Sequence, residues 1–300
     1  MSIKKIMAHP VYAYSRDTLS VYVVSIASIV GVLAILAHTV TPTPVQASIP
    51  SLNLHKYSIV QQPFVLKDVH DNASGLTYNH ETNTLFAAIN NPEAIIEIDT
   101  QGNTLRHISL EGFEDTEAIT YLGNGKYAIA EERRRCIIIV NITSSTSTLL
   151  RSQQRSIALP RIGAKNNGFE GIAFDPNSGS IYVSSEKAPR ELYHLEGFIK
   201  NTSHLSISHL WDLEEEPLGN DDVSGLYFDS QFGHILMLSD ESQQLVEANL
   251  QGKKISYLDL SGDSAGLSSP IPQAEGITLG ADNTLYILSE PNLLYKFTKR

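Results

Sequence analysis

Residues 168–195, GFEGIAFDPNSGSIYVSSEKAPRELYHL, contain three short apolar runs that alternate with turn residues. The first run begins at Glu170, and the letters DPNSG that follow it are typical of a tight turn. A second run, rich in β-branched and aromatic residues, leads to Glu186, and a third begins at Glu191. The stretch therefore predicts a three-stranded antiparallel meander whose first hairpin lies between Glu170 and Glu186.

The opening phrase of this meander recurs along the chain. The five copies are Ser74-Gly75-Leu76, Glu117-Ala118-Ile119, Glu170-Gly171-Ile172, Ser224-Gly225-Leu226 and Glu275-Gly276-Ile277. Successive copies lie 43, 53, 54 and 51 residues apart. A fourth β-like run follows the third strand of the full copies, whereas the chain ends directly after the third strand of the fifth copy. The repeat therefore predicts four-stranded units, of which the last lacks one strand.

Residues 57–66 are strand-like but precede the first copy without carrying its motif. They are expected to supply the missing fourth strand of the last unit, which would join both ends of the chain in one sheet. Four-stranded antiparallel sheets repeated around an axis form a β-propeller. The sequence therefore predicts an all-β fold, a five-bladed β-propeller. A six-bladed propeller is the alternative, although it requires blades shorter than most of the observed spacings.

The composition separates an acidic body from the N-terminal segment. The formal net charge is −11, although the first fifty residues carry Lys4, Lys5 and Arg16 against a single acid. Residues 51–300 are enough for one all-β domain with a sizeable core. An acidic body argues against nucleic acid and anionic lipid as partners, and it is compatible with metal cations.

Residues 19–40 carry no charged side chain and are long enough to span the hydrocarbon core of a bilayer. Basic residues precede this segment, and none follows before Lys56, so residues 1–18 are expected in the cytoplasm. A Thr-Pro repeat within residues 41–50 is typical of an extended linker. We therefore expect a single transmembrane helix in the inner (plasma) membrane, with an extracytoplasmic, periplasmic C-terminal domain. Secretion after cleavage of a signal peptide near Ala47 is the alternative.

Ten equivalent positions at the starts of the first strands and the ends of the second strands are rich in acids. In an antiparallel hairpin, the start of one strand lies beside the end of its partner, so both sets are expected at one mouth of the channel. The starts are Ser74, Glu117, Glu170, Ser224 and Glu275, and the ends are Asn90, Glu131, Glu186, Asp240 and Glu290. We predict that the metal ligands are Glu117, Glu170, Glu275, Asp240, Glu186, Glu131 and Glu290.

Calcium is the cation that this set of oxygen donors favours, because it takes six to eight oxygen ligands in flexible geometry. No Cys or His occurs at the repeated positions, which disfavours zinc and iron. Under the alternative interpretation, the carboxylates accept hydrogen bonds from neighbouring blades, and basic residues such as Lys187 neutralise them. The acids would then only hold the blades together.

The repeats and the N-terminal segment together resemble the SdiA-regulated family, over essentially the whole chain. The stretch GFEGIAFDPNSGSIYVSSE is also similar to the EGIAFD unit of esterase-like phytases and gluconolactonase-type propellers. The resemblance implies a five-bladed, membrane-anchored propeller with a calcium site, distantly related to proteins with NHL repeats. It implies no established reaction.

Two classes of function fit these observations. The first is a binding or interaction module whose channel mouth meets an unknown protein or small-molecule ligand. The second is a metal-dependent hydrolase of esters, lactones or phosphate esters with its site at the channel mouth. The letters GDSAG at residues 262–266 match a nucleophile elbow, but Pro270 and Pro272 disfavour the helix that this device needs. We therefore expect the binding module and assign no catalytic residue.

Overall fold

The computed structural model describes most of the chain after residue 48. The described ranges are 49–159, 168–187, 189–200, 204–213 and 218–300. Helix within these ranges is confined to three single turns of 3-10 helix, at Leu54–Lys56, Arg151–Gln153 and Ala281–Asn283. The rest of the regular structure is β-strand.

The predicted membrane span at residues 19–40 lies outside the described residues, as does the predicted cytoplasmic segment at residues 1–18. In the part of the chain that the structure describes, no helix has the length and apolar character needed to cross a membrane.

The strands form five sheets. The chain enters with β1 (Tyr57–Ile59) and β2 (Phe64–Val65). Blade 1 contains β3 (Ala73–Asn79), β4 (Thr84–Asn90), β5 (Glu93–Ile98) and β6 (Thr104–Glu111). Blade 2 contains β7 (Thr116–Gly123), β8 (Lys126–Glu131), β9 (Cys136–Asn141) and, after the short β10 (Thr148–Leu150), β11 (Arg155–Ala158). Blade 3 contains β12 (Phe169–Asp175), β13 (Ser180–Ser185), β14 (Glu191–Glu196) and β15 (Ser206–Asp212).

Blade 4 contains β16 (Gly225–Asp229), β17 (His234–Ser239), β18 (Gln244–Asn249) and β19 (Lys254–Asp259). Blade 5 contains β20 (Ala274–Leu279), β21 (Leu285–Ser289) and β22 (Leu293–Lys299). The first strand of each blade contacts the first strand of the next, and β20 contacts β3, so the inner ring is closed. The five-bladed, all-β prediction is therefore confirmed, and the six-bladed alternative is wrong.

The N-terminal strand completes blade 5, as the sequence predicts. Both β1 and β2 pair antiparallel with β22, the last strand of the chain. The pairing is interrupted between the two short strands, at a segment that contains Pro63, which has no backbone N–H to donate. Proline explains why one predicted strand forms as two short ones.

The core consists of five buried hydrophobic clusters, and each cluster lies between two neighbouring blades. Between blades 1 and 2, for example, Phe86 and Ile95 pack with Tyr127 and Ile138. A blade in this arrangement has an apolar neighbour on both faces. This explains why the central strands are buried throughout, as in His234–Ser239, instead of alternating between apolar and polar residues.

The glycine of the repeated motif allows the inner strands to approach each other closely. A Cβ atom at Gly225 would lie 2.7 Å from the carbonyl oxygen of Glu275, and one at Gly276 would lie 2.7 Å from that of Ser74. Both contacts are to the backbone of the next blade, which has little freedom to move away. Glycine is therefore required here by packing, and it brings the acidic positions of successive blades close together around the axis.

Candidate functional site

Glu117, Glu170 and Glu275 each occupy a β-bulge at the start of an inner strand. In blade 2 the pairing register passes from Thr116 to Ala118 and omits Glu117. The registers of blades 3 and 5 omit Glu170 and Glu275 in the same way. A bulge redirects the side chain of the extra residue, so it no longer follows the alternation of the strand. The three equivalent glutamates therefore lie in bulges at the same end of the channel.

The two remaining blades carry serine at this position. In blade 1 the register shift leaves Ser74 unpaired together with Gly75. In blade 4 the hydroxyl of Ser224 donates to the carbonyl oxygen of Ala274 at 2.5 Å. These two blades therefore add no carboxylate to the first set, as the sequence predicts.

The second set of acids differs from the prediction in blade 2. Each bulge is preceded by a residue that is paired across the hairpin. These pairs are Thr116 with Glu131, Phe169 with Ser185, and Ala274 with Ser289. The residues that follow these partners and end the hairpins are Glu132, Glu186 and Glu290. The structural equivalent of Glu186 and Glu290 is therefore Glu132, one residue after the predicted Glu131.

The blade 2 hairpin is one residue shorter than the blade 3 hairpin. Its turn consists of Asn124 and Gly125, which both have positive φ angles, 53° and 68°, and such turns join strands with only two loop residues. Glu132 follows Glu117 by 15 positions, as Glu290 follows Glu275, whereas Glu186 follows Glu170 by 16. The predicted Glu131 follows Glu117 by only 14 positions and therefore lies one residue too early. The unequal spacing was the signal in the sequence that the blade 2 position had moved.

Glu131 itself is fully buried between blade 2 and the segment before β11. Its Oε1 accepts hydrogen bonds from Glu114 N at 3.2 Å and Arg134 Nη1 at 3.3 Å. Its Oε2 accepts one from Arg151 Nε at 3.1 Å. Both oxygens are thus occupied by protein donors, and the candidate site leaves Glu131 out.

Three carboxylates converge at blade 2. Oxygen atoms of Asp115, Glu117 and Glu132 all lie within 4.8 Å of one another. Two oxygens that bind the same calcium ion are at most about 5 Å apart, because each Ca–O bond is 2.3–2.6 Å long. The spacing therefore fits one calcium ion. Sequence analysis missed Asp115, which precedes the repeated motif by two residues.

Protein donors compensate only part of this negative charge. Asn90 Nδ2 donates to Glu117 Oε1 at 2.5 Å. Arg133 Nε lies 2.5 Å from Asp115 Oδ2, but the arginine side chain is 78% exposed. An exposed ion pair is weakened by water and salt, so it neutralises the cluster poorly.

Two of the other predicted residues, Glu186 and Asp240, already have protein partners. Lys187 Nζ lies 2.9 Å from Glu186 Oε1. Asp240 Oδ1 accepts hydrogen bonds from Gln243 Nε2 at 3.0 Å and from Ala274 N at 3.2 Å. The role of the seven predicted residues as metal ligands stays a prediction.

Burial and mutual repulsion favour the protonated forms of Glu275, Glu170 and Glu132. Burial, reinforced by the charge of Glu290, raises the pKa of Glu275 to about 9. Burial and the charges of Glu117 and Glu132 raise the pKa of Glu170 well above its ordinary value. Burial, again with the charge of Glu117, raises the pKa of Glu132 to about 7. The ionised carboxylates at the mouth therefore repel one another, and protons or a cation would reduce this repulsion.

Comparison with known proteins identifies the family. A family model described as SdiA-regulated matches residues 50–298. The chain belongs to the SdiA-regulated family. In this member of the SdiA-regulated family, the matched region coincides with the propeller.

Several solved structures are similar to this SdiA-regulated protein. Regucalcin from Agrobacterium tumefaciens str. C58, titled a calcium-binding protein, is 13% identical with a TM-score of 0.51, covering 80% of this chain and 94% of that one. A chain of a nidogen/laminin complex is 13% identical with a TM-score of 0.49, covering 73% of each chain. A streptogramin B lyase is 12% identical with a TM-score of 0.48, covering 83% of this chain and 100% of that one. At these identities, the likeness to regucalcin shows the fold alone.

Proposed function

We propose that this protein binds calcium at the acidic mouth of the propeller channel and acts as a membrane-anchored, extracytoplasmic binding or interaction module. The observation that carries the proposal is the convergence of Asp115, Glu117 and Glu132 within 4.8 Å. The three carboxylates offer oxygen donors at a spacing that suits calcium, and among the described residues their one ion pair is with the exposed Arg133.

The bulges support Glu170 and Glu275 as further ligands of this ion. Glu170 and Glu275 project from the equivalent bulges of blades 3 and 5, so we place them beside the blade 2 cluster. Glu186, Asp240 and Glu290 are expected to act through water or through their protein partners, because one divalent ion does not balance so many carboxylates. Regucalcin has the same fold and is described as calcium-binding, which is compatible with this assignment.

The loop between blades 4 and 5 gives no support to a hydrolase with a serine nucleophile. The letters GDSAG lie there in a turn, in which Leu267 N donates to Ser264 O at 2.8 Å. No helix follows this serine among the described residues 261–273, so it lacks the strand–turn–helix setting of a nucleophile elbow. Metal-dependent hydrolysis of esters, lactones or phosphate esters stays the alternative.

The anchor and the location rest on the sequence. Residues 19–40 are apolar enough to span a bilayer, and the basic residues that precede them favour an extracytoplasmic propeller. In this arrangement, calcium stiffens the channel rim, and the surrounding loops meet a protein or small-molecule partner outside the cytoplasm.

Calcium titration tests the proposal directly. Isothermal calorimetry on chelator-treated propeller, residues 48–300, should show one strong calcium site. Glu170→Gln should weaken calcium binding about tenfold, equivalent to roughly 1.4 kcal/mol. The matched control is Glu196→Gln, which removes an exposed carboxylate at the far end of a blade 3 strand and should leave the affinity unchanged. Equal effects of the two substitutions, or no calcium binding by the parent protein, would remove the site.

A further inference from the structure

A second cavity lies at the opposite end of the channel from the acidic mouth. Its volume is about 520 Å³, within the range of small-molecule sites, and residues from all five blades line it. The inner strands connect the two ends: Phe174 lines this cavity and follows Glu170 by four residues, a separation of roughly 13 Å along an extended strand. The cavity is therefore distinct from the proposed calcium site.

Aromatic side chains dominate the wall. The fifth position of the repeated motif lies here in every blade and is occupied by Tyr78, Tyr121, Phe174, Phe228 and Leu279. Tyr78 and Phe174 are only partly buried and therefore present ring surface to the cavity. No lysine, arginine, aspartate or glutamate is among the described residues that line it. The wall thus suits an uncharged ligand with a flat ring.

Backbone amides supply hydrogen-bond donors at the inner edge of the same cavity. In two blades a threonine from the preceding blade caps the amide of the fifth position: Thr278 Oγ1 accepts from Tyr78 N at 3.1 Å, and Thr77 Oγ1 accepts from Tyr121 N at 3.0 Å. These amides point away from their own sheets, because amides on an antiparallel edge strand alternate in direction.

Among the described residues the cap occurs in blades 1 and 2 alone: Thr120 occupies the capping position for Phe174 N without making the bond, and blades 4 and 5 lack a residue that could make it. The residue that would cap Phe228 N is Ala173, which has no side-chain acceptor. The residue that would cap Leu279 N is Tyr227, whose hydroxyl is at the far end of a ring and cannot reach a neighbouring amide as threonine does. Among the described residues no side chain accepts a hydrogen bond from the amides of Phe228 and Leu279, which leaves both available to a ligand.

We propose that this cavity binds a small, uncharged aromatic ligand that carries an acceptor oxygen. The ring of the ligand packs against the aromatic side chains, and its oxygen accepts hydrogen bonds from the amides of Phe228 and Leu279. Burial raises the pKa of the Tyr121 hydroxyl to about 12, so this part of the wall stays neutral at physiological pH. A neutral carbonyl compound with an aromatic ring has the required chemistry.

The experiment uses benzamide as the probe on the intact propeller, with binding followed by ligand-observed NMR titration. Cyclohexanecarboxamide keeps the amide but lacks the aromatic ring, and benzoate keeps the ring but adds a charge. Benzamide should bind about tenfold more tightly than either compound. Equal binding of benzamide and cyclohexanecarboxamide would overturn the proposal, as would binding of a monosaccharide such as glucose in preference to benzamide.

Two substitutions with one matched control locate the probe. Ala173→Thr restores the cap found in other blades and should weaken benzamide binding about tenfold, whereas Ala173→Val has the same shape without an acceptor and should not.

Phe174→Leu removes aromatic surface at a partly buried position and should also weaken binding, with the melting temperature recorded to show that each variant is folded. Glu170→Gln, at the other end of the channel, should have no effect on benzamide. Identical affinities of the Ala173→Thr and Ala173→Val variants, together with unchanged binding by Phe174→Leu, would contradict the assignment.

Discussion

Tyr57 lies opposite Lys299 in the antiparallel pairing that joins the two ends of the propeller domain. The seam is reinforced beyond the strand itself, because Arg300 N donates to Lys56 O at 3.0 Å and the Tyr57 hydroxyl donates to Asn283 O at 2.9 Å. The ring is therefore held closed by pairing between residues far apart in sequence. Its stability should depend on the N-terminal strand as strongly as on any blade.

Removal of this strand should destabilise the whole propeller. Deletion through Leu66 removes four almost fully buried apolar side chains, Leu52, Leu54, Tyr57 and Leu66. Each contributes about 1.5–3 kcal/mol, so the free energy of unfolding should fall by several kcal/mol, and the edge of blade 5 becomes exposed. Thermal and urea denaturation measure the loss. Deletion through Ala47 is the control and should yield a folded domain; equal melting temperatures of the two truncated proteins would show that the seam is not needed.

Neighbouring glutamates in blade 2 should have separate roles. Glu131→Gln removes the negative charge between Arg134 and Arg151 and should cost about 1–3 kcal/mol in stability without changing calcium affinity. Glu132→Gln should weaken calcium binding about tenfold and leave the chelated protein at least as stable, because one repelling charge is lost. Melting in chelator and calorimetric titration measure the two properties. The opposite pattern would restore Glu131 to the site.

The chelated protein should become less stable as pH rises from about 4.5 to about 9. Glu275 has a folded-state pKa of about 9 against an ordinary value of 4.5, so the folded state holds a proton that the unfolded state has already released. Glu132, with a pKa of about 7, acts in the same direction over the lower part of this range. Denaturation with chelator present at several pH values checks the slope. A rise in stability across this range would mean that other groups control the pH dependence.

Calcium should compete with these protons. Its affinity is therefore expected to rise with pH over the same range, with release of protons on binding. Calorimetry in buffers of different ionisation enthalpy counts the released protons. Affinity that is independent of pH, with no proton release, would place the ion away from Glu275 and Glu132.

The N-terminal segment should be retained as an anchor. A reporter enzyme that works only outside the cytoplasm should be active when fused after Arg300, and the mature protein should still contain residues 1–40. Mass spectrometry of the purified protein identifies its first residue. Recovery of a soluble protein that begins at Ser48 would instead identify a cleaved signal peptide.

Much of the fold was predictable because its signals are local or periodic. The turn sequence at residues 175–179 marks one hairpin, and the five spaced motifs count the blades. The absence of a fourth strand after Phe297 identified residues 57–66 as the strand that closes the ring, and the pairing with β22 confirms it. Local turn chemistry and repeat length need no knowledge of distant contacts.

Alignment of the acids was less predictable because it depends on register. The blade 2 hairpin turns at Asn124 and Gly125, and its register makes Glu132, one residue after the predicted Glu131, the equivalent of Glu186. A shift of one residue along a strand turns a side chain to the opposite face, so Glu131 points to Arg151 instead of the rim. The sequence contained the unequal spacing, but not the direction in which each side chain would point.

The sequence by itself determined the five-bladed ring, its closing strand and the presence of glutamates at the starts of three inner strands. Only the tertiary structure decided which carboxylates converge, bringing Asp115, Glu117 and Glu132 within 4.8 Å. It also decided the raised pKa values of Glu132 and Glu170, because desolvation and repulsion depend on distances between blades. The strength of a charge interaction varies with separation in space and with burial, and neither quantity is written in the order of the residues.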